Sequence, residues 1–188
     1  MEIADLECKI KFKEYTVLSE AQKKEVLNYR NMISIRKHMY NQDIIREKDH
    51  FEWINSLKGD RTRRYYAILY NTEIVGSFNL NDINLQEKTC CWGFFLGKKP
   101  LRAMGSIAVY FFIEKIIKME SFKIIYAGIL KENTKSIELH KRVGFYNSEE
   151  GSKSKKEIKM EWNIDSWLKT YKERIEVYIK TANQNKFE

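Results

Sequence analysis

Two short stretches of the 188-residue chain carry residue types whose spacing suits chemistry on an anionic ligand. The first is Arg102-Ala103-Met104-Gly105-Ser106-Ile107, which leads into an apolar helical pattern of Ile107, Phe111, Ile113, Ile116 and Ile117. A helix start offers backbone N–H groups with no intrahelical acceptor, together with the positive end of the helix dipole, so it binds phosphate. Gly105 allows close backbone approach because it has no Cβ. The second stretch runs from Asn133 to Phe145. Asn133 or Thr134 caps a short helix there, with Ile137, Leu139 and Val143 inward, and Gly144 ends it. His140 on this helix can exchange a proton near neutral pH. A strand separates the two stretches, so both can face one ligand.

The elements that must position these residues follow the hydrophobic pattern. Lys9 to Val17 alternates as an opening strand, and Ser19 caps a helix that ends near Arg30-Asn31. Met32 to Gln42 is a second short helix or an irregular segment. Asp43 or Glu47 opens another helix, carrying Phe51, Ile54 and Leu57, and Gly59-Asp60 breaks it. Tyr65 to Leu69 and Ile74 to Leu80 form a hairpin around Asn71-Thr72-Glu73, and Asn81 to Lys88 is a polar connection. Thr89 to Leu96, apolar on both faces, is a central strand. The helix after Gly105 ends at Glu120-Ser121, and Phe122 to Leu130 is β-rich. Phe145-Tyr146 and Lys156 to Trp162 are the last strands. Asp165 caps a tail helix whose stripe of Trp167, Leu168, Tyr171, Ile175, Tyr178 and Ile179 docks on the domain or on a neighbouring subunit; residues 183–188 are expected to fray.

The length suits one domain, residues 1–164, with a helical tail at 165–188. The formal net charge of +8 favours an anionic partner such as a nucleotide or phosphate-bearing cofactor. Lys and Arg alternate with Glu and Asp outside short runs such as Lys153 to Lys156, so no basic stripe for nucleic acid forms. Cys8, Cys90 and Cys91 make no disulfide framework, and three histidines without paired cysteines leave a zinc site unsupported. No apolar run is long enough to span a bilayer, and the expectation is a soluble, cytoplasmic protein without metal.

The order of elements and the two motifs resemble the GCN5-related N-acetyltransferases (GNAT). The resemblance covers most of the chain and is strongest from Trp92 to Phe145. The family's acetyl-CoA loop reads [RQ]-x-x-G-x-[GA]; Arg102 and Gly105 match, and Ile107 stands where Gly or Ala is usual. The second motif is more specific: Asn133-x-x-Ser136-x-x-Leu139-His140-Lys141-Arg142-Val143-Gly144-Phe145, with His140 where the family usually has Tyr. The resemblance implies an α/β (α+β) fold, with a mixed, mostly antiparallel sheet of about seven strands flanked by helices. It implies acetyl-CoA as cosubstrate, with the amides of Arg102, Ala103, Met104, Gly105, Ser106 and Ile107 around its pyrophosphate. Phe94, Phe95 and Leu96 present strand backbone to the pantetheine, with Asn133, Ser136 and Lys141 beside it. A strand N–H near Phe95 would hold the oxyanion, and His140 would protonate the departing thiolate.

On the acceptor side, Tyr29-Arg30-Asn31, His38-Met39-Tyr40 and Asp49-His50-Phe51-x-Trp53-Ile54 resemble one branch of that family. It acetylates the 4-amino group of a UDP-linked 4-amino-4,6-dideoxy sugar on the route to pseudaminic acid. The resemblance implies that Arg30, Asn31, Met39, Tyr40 and His50 line a nucleotide-sugar pocket, with Asn79 and Asn81 on the hydroxyls or the N-acetyl group. Arg30, a forked permanent cation, suits a diphosphate, and His50, a carboxylate or a water chain would deprotonate the amine. The same Arg-Asn and His-x-x-Trp-Ile pattern also fits acetyltransferases of ribosomal-protein N-termini, and the missing Tyr leaves room for a non-catalytic acyl-CoA-binding protein. A homodimer is compatible with the sequence.

Overall fold

The computed structural model describes residues 2–120, 122–152 and 154–184. Seven strands form one sheet: β1 (Ile10–Glu14), β2 (Arg64–Tyr70), β3 (Glu73–Asn84), β4 (Thr89–Leu96), β5 (Ile124–Leu130), β6 (Tyr146–Asn147) and β7 (Glu157–Asn163). Their order is β1-β2-β3-β4-β5-β7-β6. Every neighbouring pair is antiparallel except β4 and β5, which run parallel. The fold is therefore mixed and mostly antiparallel, as the motifs implied.

Two apolar layers cover the sheet. On one face lies α5 (Met104–Glu120), where Ile107 through Ile113 are buried without a break. That uninterrupted burial follows from its position between the sheet and the tail, with Phe112 stacked on Phe78 at a ring separation of 4.1 Å. The other face carries α2 (Glu20–Asn31) and α4 (Glu47–Ser56), which bury Val26, Tyr29 and Ile54 against Ala67, Leu69 and Ile74. Ser19 starts α2 through a capping box: its Oγ accepts from the Gln22 amide, and Gln22 Oε1 accepts from the Ser19 amide.

Several boundaries differ from the sequence reading. A helix, α1 (Ile3–Glu7), precedes the opening strand, and that strand gives way at Tyr15 to a 3-10 turn because Tyr15 is drawn inward to Ser77. β3 continues through the segment read as a polar connection, since Asn81 pairs with Cys91 and Asn84 with Thr89. A one-turn α3 (Ile33–Arg36) and a loop fill the gap to α4. In the tail, Asn163 rather than Asp165 caps α7 (Ile164–Ser166), accepting from the Ser166 amide at 2.8 Å. A π-helical turn, Trp167–Tyr171, then leads into α8 (Lys172–Gln184).

The tail docks on its own domain. Trp167 is fully buried and donates its indole N–H to Glu114 of α5 at 2.9 Å, Lys172 bridges to the same carboxylate, and the Tyr110 hydroxyl donates to Glu176. Asn183 is buried within α8, which runs through Gln184. Residues 185–188, Ser121 and Lys153 lie outside the described residues. Among the described residues, no helix is long and apolar enough to cross a membrane.

Candidate active site

The sheet parts in its middle. β4 and β5 are paired only over Thr89 to Cys91 and Ile124 to Tyr126, yet β4 continues to Leu96 and β5 to Leu130. Beyond that point Gly93, Phe94, Phe95 and Leu96 face Ala127, Gly128, Ile129 and Leu130 across a cleft of about 1430 Å³. Strand backbone on both walls without a partner strand between them is a docking slot for an extended, amide-bearing chain.

At one end of the slot stands the N-terminus of α5. Ala103 has φ +55°, a left-handed conformation that turns the chain sharply into the helix. The first intrahelical bond recorded from this turn is from Ile107 to the Ala103 carbonyl. Thus the amides of Ala103, Met104, Gly105 and Ser106 belong to the turn's orphan donors, whereas that of Ile107 is spent and its side chain is in the core. The expected amide cradle is therefore one residue shorter than the sequence suggested. Ser106 Oγ is buried on the cleft wall without a hydrogen-bond partner, as a hydroxyl meant for a ligand oxygen would be. Lys99, Arg102, Lys135 and Arg142 line the same end. Gly105 also packs closely: a Cβ there would stand 2.8 Å from Leu139 Cδ2 of α6 (Thr134–Arg142), and that side chain would have to turn aside. These features fit a pyrophosphate-bearing cosubstrate whose arm runs along β4.

α6 brings the second motif to the cleft. Asn133 caps it, its Oδ1 accepting from the Ser136 amide at 3.3 Å, and Asn133 and Ser136 both line the wall. Lys141 does not: it is exposed and points away, and Arg142 is the basic residue of this turn on the cleft. His140 is 3% exposed. Its Nδ1 lies 2.7 Å from the Ser136 carbonyl, which can only accept, so Nδ1 carries the proton. Its Nε2 is then the acceptor of the Trp92 indole N–H at 3.2 Å. Burial holds the imidazole neutral, with its pKa lowered to about 4. A neutral ring with both nitrogens engaged has no proton to hand to a thiolate. The geometry thus corrects the reading of His140 as proton donor: it props Trp92, which in turn stacks on Phe145 at 5.0 Å.

The acceptor side of the cleft lies over the other sheet face. Tyr15, Trp53 and Tyr65 form an aromatic wall, with Trp53 edge-on to Tyr65 at 4.6 Å. Ser77, Asn79 and Asn81 alternate along β3 to make an uncharged polar floor; Ser77 Oγ accepts from Tyr15 and Asn81 Oδ1 from Tyr65. His50 is buried, and desolvation lowers its pKa to about 4, opposed by a hydrogen bond to the Lys23 backbone. Its Nε2 has no partner and lies on the chamber wall. Arg30 donates one guanidinium nitrogen, Nη2, to the Asn41 carbonyl at 2.7 Å, while Nη1 is buried without a partner. Met39 and Tyr40 line the chamber from the loop after α3. Asn31 is not on the cleft: its side chain accepts from the Ile45 amide and donates to the Ile45 carbonyl, both at 2.9 Å, which fixes that loop instead.

Tyr15, Tyr65, Ser77, Cys91 and Glu157 line the chamber but were not marked by the sequence, while Trp53, part of the His-x-x-Trp-Ile pattern, lines it too. Ser77 had a signal, since it stands at the period-two position before Asn79 and Asn81. The others are far apart in sequence and meet only when the sheet forms. Among the described residues, no group of three or more His, Cys, Asp or Glu side chains could hold a metal ion.

The chain is 25% identical over 141 residues, 72% of its length and 84% of the relative's, to acetyltransferase PseH of Campylobacter jejuni. The crystal structure of that PseH with acetyl coenzyme A superposes with a TM-score of 0.65 at 19% identity, covering 82% of this chain and 98% of the other. Spermidine N-acetyltransferase from Vibrio cholerae, with CoA and spermine, has TM-score 0.74 at 13% identity, covering 85% and 98%. The ribosomal L7/L12 α-N-protein acetyltransferase RimL reaches 0.70 at 12% identity, covering 86% and 97%. At these identities the structural likeness shows the fold alone. The model of the acetyltransferase (GNAT) domain matches residues 18–168, so this chain belongs to the GNAT family of acetyl-CoA-dependent N-acetyltransferases.

Proposed function

We propose that the acceptor is the 4-amino group of a UDP-linked 4-amino-4,6-dideoxy sugar, acetylated directly from acetyl-CoA in the cytoplasm. The observation that carries this reading is the make-up of the acceptor chamber: aromatic walls, an uncharged polar floor and Arg30 with an unpartnered buried Nη1. Aromatic faces suit a uracil or a pyranose ring, side-chain amides suit hydroxyl and N-acetyl groups, and a guanidinium suits a diphosphate. Lining the whole cleft are seven Lys or Arg side chains against three carboxylates, which repels a polyamine and attracts an anion. The relative PseH, an N-acetyltransferase whose structure holds acetyl coenzyme A, supports acetyl transfer within this cleft.

In this mechanism both substrates occupy one cleft, so proximity and orientation supply much of the rate. The amine attacks the thioester carbonyl, and a β4 amide near Phe95 holds the oxyanion. His50 Nε2, a bare lone pair in a neutral ring, accepts an N–H of the amine and aligns its nitrogen lone pair on the carbonyl. His140 keeps Trp92 and the β4 wall in place; as the tetrahedral adduct collapses the C–S bond breaks, and water in the broad cleft takes the surplus proton from the nitrogen and returns one to the CoA thiolate. A CoA-release assay with a panel of UDP-amino sugars, N-terminal peptides and spermidine tests the reading. Turnover of the 4-amino sugar alone is expected; turnover of peptides without nucleotide sugar would replace it with the N-terminal acetyltransferase reading.

A further inference from the structure

Glu157 is the one buried Asp or Glu among the described residues, in a chain whose net charge is +8. It starts β7 and faces the cleft, where its partner is the Tyr40 hydroxyl, which donates to Glu157 Oε2 across 117 residues of sequence. Beneath that contact lies Gly128 of β5. A Cβ at Gly128 would overlap the Tyr40 hydroxyl and sit 3.4 Å from Glu157 Oε2, so the missing side chain is the seat in which the phenol rests. Tyr40 as a residue is nonetheless 72% exposed, while its hydroxyl is engaged by Glu157. Burial of the hydroxyl and then the Glu157 carboxylate push the phenol's pKa up, which keeps it a hydrogen-bond donor at all ordinary pH.

The segment that carries Tyr40 is pinned at its base as well. Arg30 and Arg36 donate to the carbonyls of Asn41 and Gln42 at 2.7 and 2.6 Å, and Asn31 holds Ile45 by both of its amide atoms. The loop is thus a strap: anchored on the α2 side, it crosses the acceptor groove and ties down on β5 and β7. A carboxylate buried at the cost of its hydration is retained where its charge-assisted bond fixes something. Here it fixes the outer wall of the acceptor chamber.

We infer that Glu157 is a positioning residue which, through Tyr40 seated on Gly128, closes the far end of the acceptor groove and restricts it to compact acceptors. The inference rests on reading this chamber as the acceptor site. It assigns a selective role to a residue outside both motifs. Without that tie the groove would continue from Trp53 and Tyr65 past Tyr40 to Lys159, leaving room for an extended chain. With the strap tied, an acceptor must fit between the aromatic wall and the phenol.

Cys91 provides a reporter that needs no acceptor. It lines the chamber at intermediate burial, whereas Cys8 is exposed and Cys90 is buried in the core. In the full-length protein, N-ethylmaleimide labelling followed by peptide mass spectrometry gives the Cys91 rate relative to Cys8. Tyr40→Phe, which alters a largely exposed ring, and Gly128→Ala, which leaves both polar groups intact, should each raise that ratio about fivefold or more. Glu157→Ala should do the same, and Glu157→Gln, which still offers the phenol an oxygen, should stay within about twofold of wild type. In CoA-release assays with the UDP-4-amino sugar, the opening variants should raise acceptor KM about fivefold while acetyl-CoA KM stays within about twofold. They should also gain turnover of an N-terminal tetrapeptide relative to the sugar. Unchanged Cys91 labelling in Tyr40→Phe and Gly128→Ala would overturn the strap even if sugar turnover is normal. A wild type that acetylates no UDP-amino sugar would overturn the substrate reading while leaving the labelling result to stand for the strap.

Discussion

His140→Phe separates two accounts of the second motif. If the imidazole protonated the departing thiolate, its loss would lower kcat by about 10²–10⁴-fold, the usual worth of general acid catalysis, with little effect on stability. The structure argues the reverse. Trp92 Nε1–H finds its acceptor in His140 Nε2, and both groups are buried. A phenyl ring at 140 fills similar space but leaves the indole N–H unpaired, which costs about 1–3 kcal/mol. The Ser136 carbonyl still has the helix amide four residues on as partner. At pH 7 the variant should therefore be less stable by about that amount in urea titrations, and kcat should fall less than about tenfold.

The pH dependence sharpens the test. Folded His140 titrates near 4 and unfolded histidine near 6.5, so at pH 7 the ring is neutral in both states and contributes no proton linkage. As pH falls below 6.5 the unfolded chain takes up the proton and the folded one does not, so stability falls. By pH 4 this amounts to about 3 kcal/mol of order-of-magnitude loss from the one residue. His50 is lowered in the same direction, but it is present in both proteins and cancels in the comparison. His140→Phe removes the linkage, so the gap between wild type and variant should shrink from pH 7 to pH 4 and close or reverse there. Urea midpoints at pH 7, 5.5 and 4 measure it. A hundredfold fall in kcat with parallel stability curves would refute the argument and restore the imidazole as acid.

Other expectations follow from named contacts. Gly105→Val would drive a side chain into Leu139, wedging α6 off the start of α5; acetyl-CoA Kd measured by calorimetry should rise at least about tenfold. His50→Phe should lower kcat/KM for the acceptor by about tenfold or more and leave acetyl-CoA Kd unchanged. In the wild type the acceptor profile should show no inflection from His50 near 6.5, because the ring is already neutral there. Trp167→Ala removes a fully buried indole and the donor it gives Glu114, and should cost about 3–5 kcal/mol in chemical denaturation.

The donor half of the site was legible because its parts are local. Ala103 through Ser106 lie on one turn, Asn133 through His140 on one short helix, and both are followed or preceded by an apolar run that fixes their orientation. Even the errors there are small: Ile107 and Lys141 are adjacent to residues that do line the cleft, displaced by one step of a helix. His140 was placed correctly and given the wrong task, because sequence cannot tell that its neighbours would be an indole donor and a carbonyl acceptor. Trp92 is 48 residues away, on a strand whose register decides which ring nitrogen is engaged.

The acceptor half is different in kind, and Arg30 with Asn31 shows why. As residue types they invite a ligand, a forked cation and an amide at a helix end. In the folded chain Asn31 is consumed by Ile45, and Arg30 divides its guanidinium between the Asn41 carbonyl and the chamber. Both therefore act first on the loop that holds Tyr40, and the chamber takes its shape from that loop. The wall it makes depends on Gly128 and Glu157, whose types are unremarkable in sequence and whose meeting with Tyr40 requires β5 and β7 to be paired in register. On the proposed reading, acetyl-CoA is held by one turn and one short helix, each local in sequence. The strap proposed for the acceptor takes its anchors and seat from four separate elements, so substitution at Tyr40, Gly128 or Glu157 should change selectivity without disturbing the donor motifs.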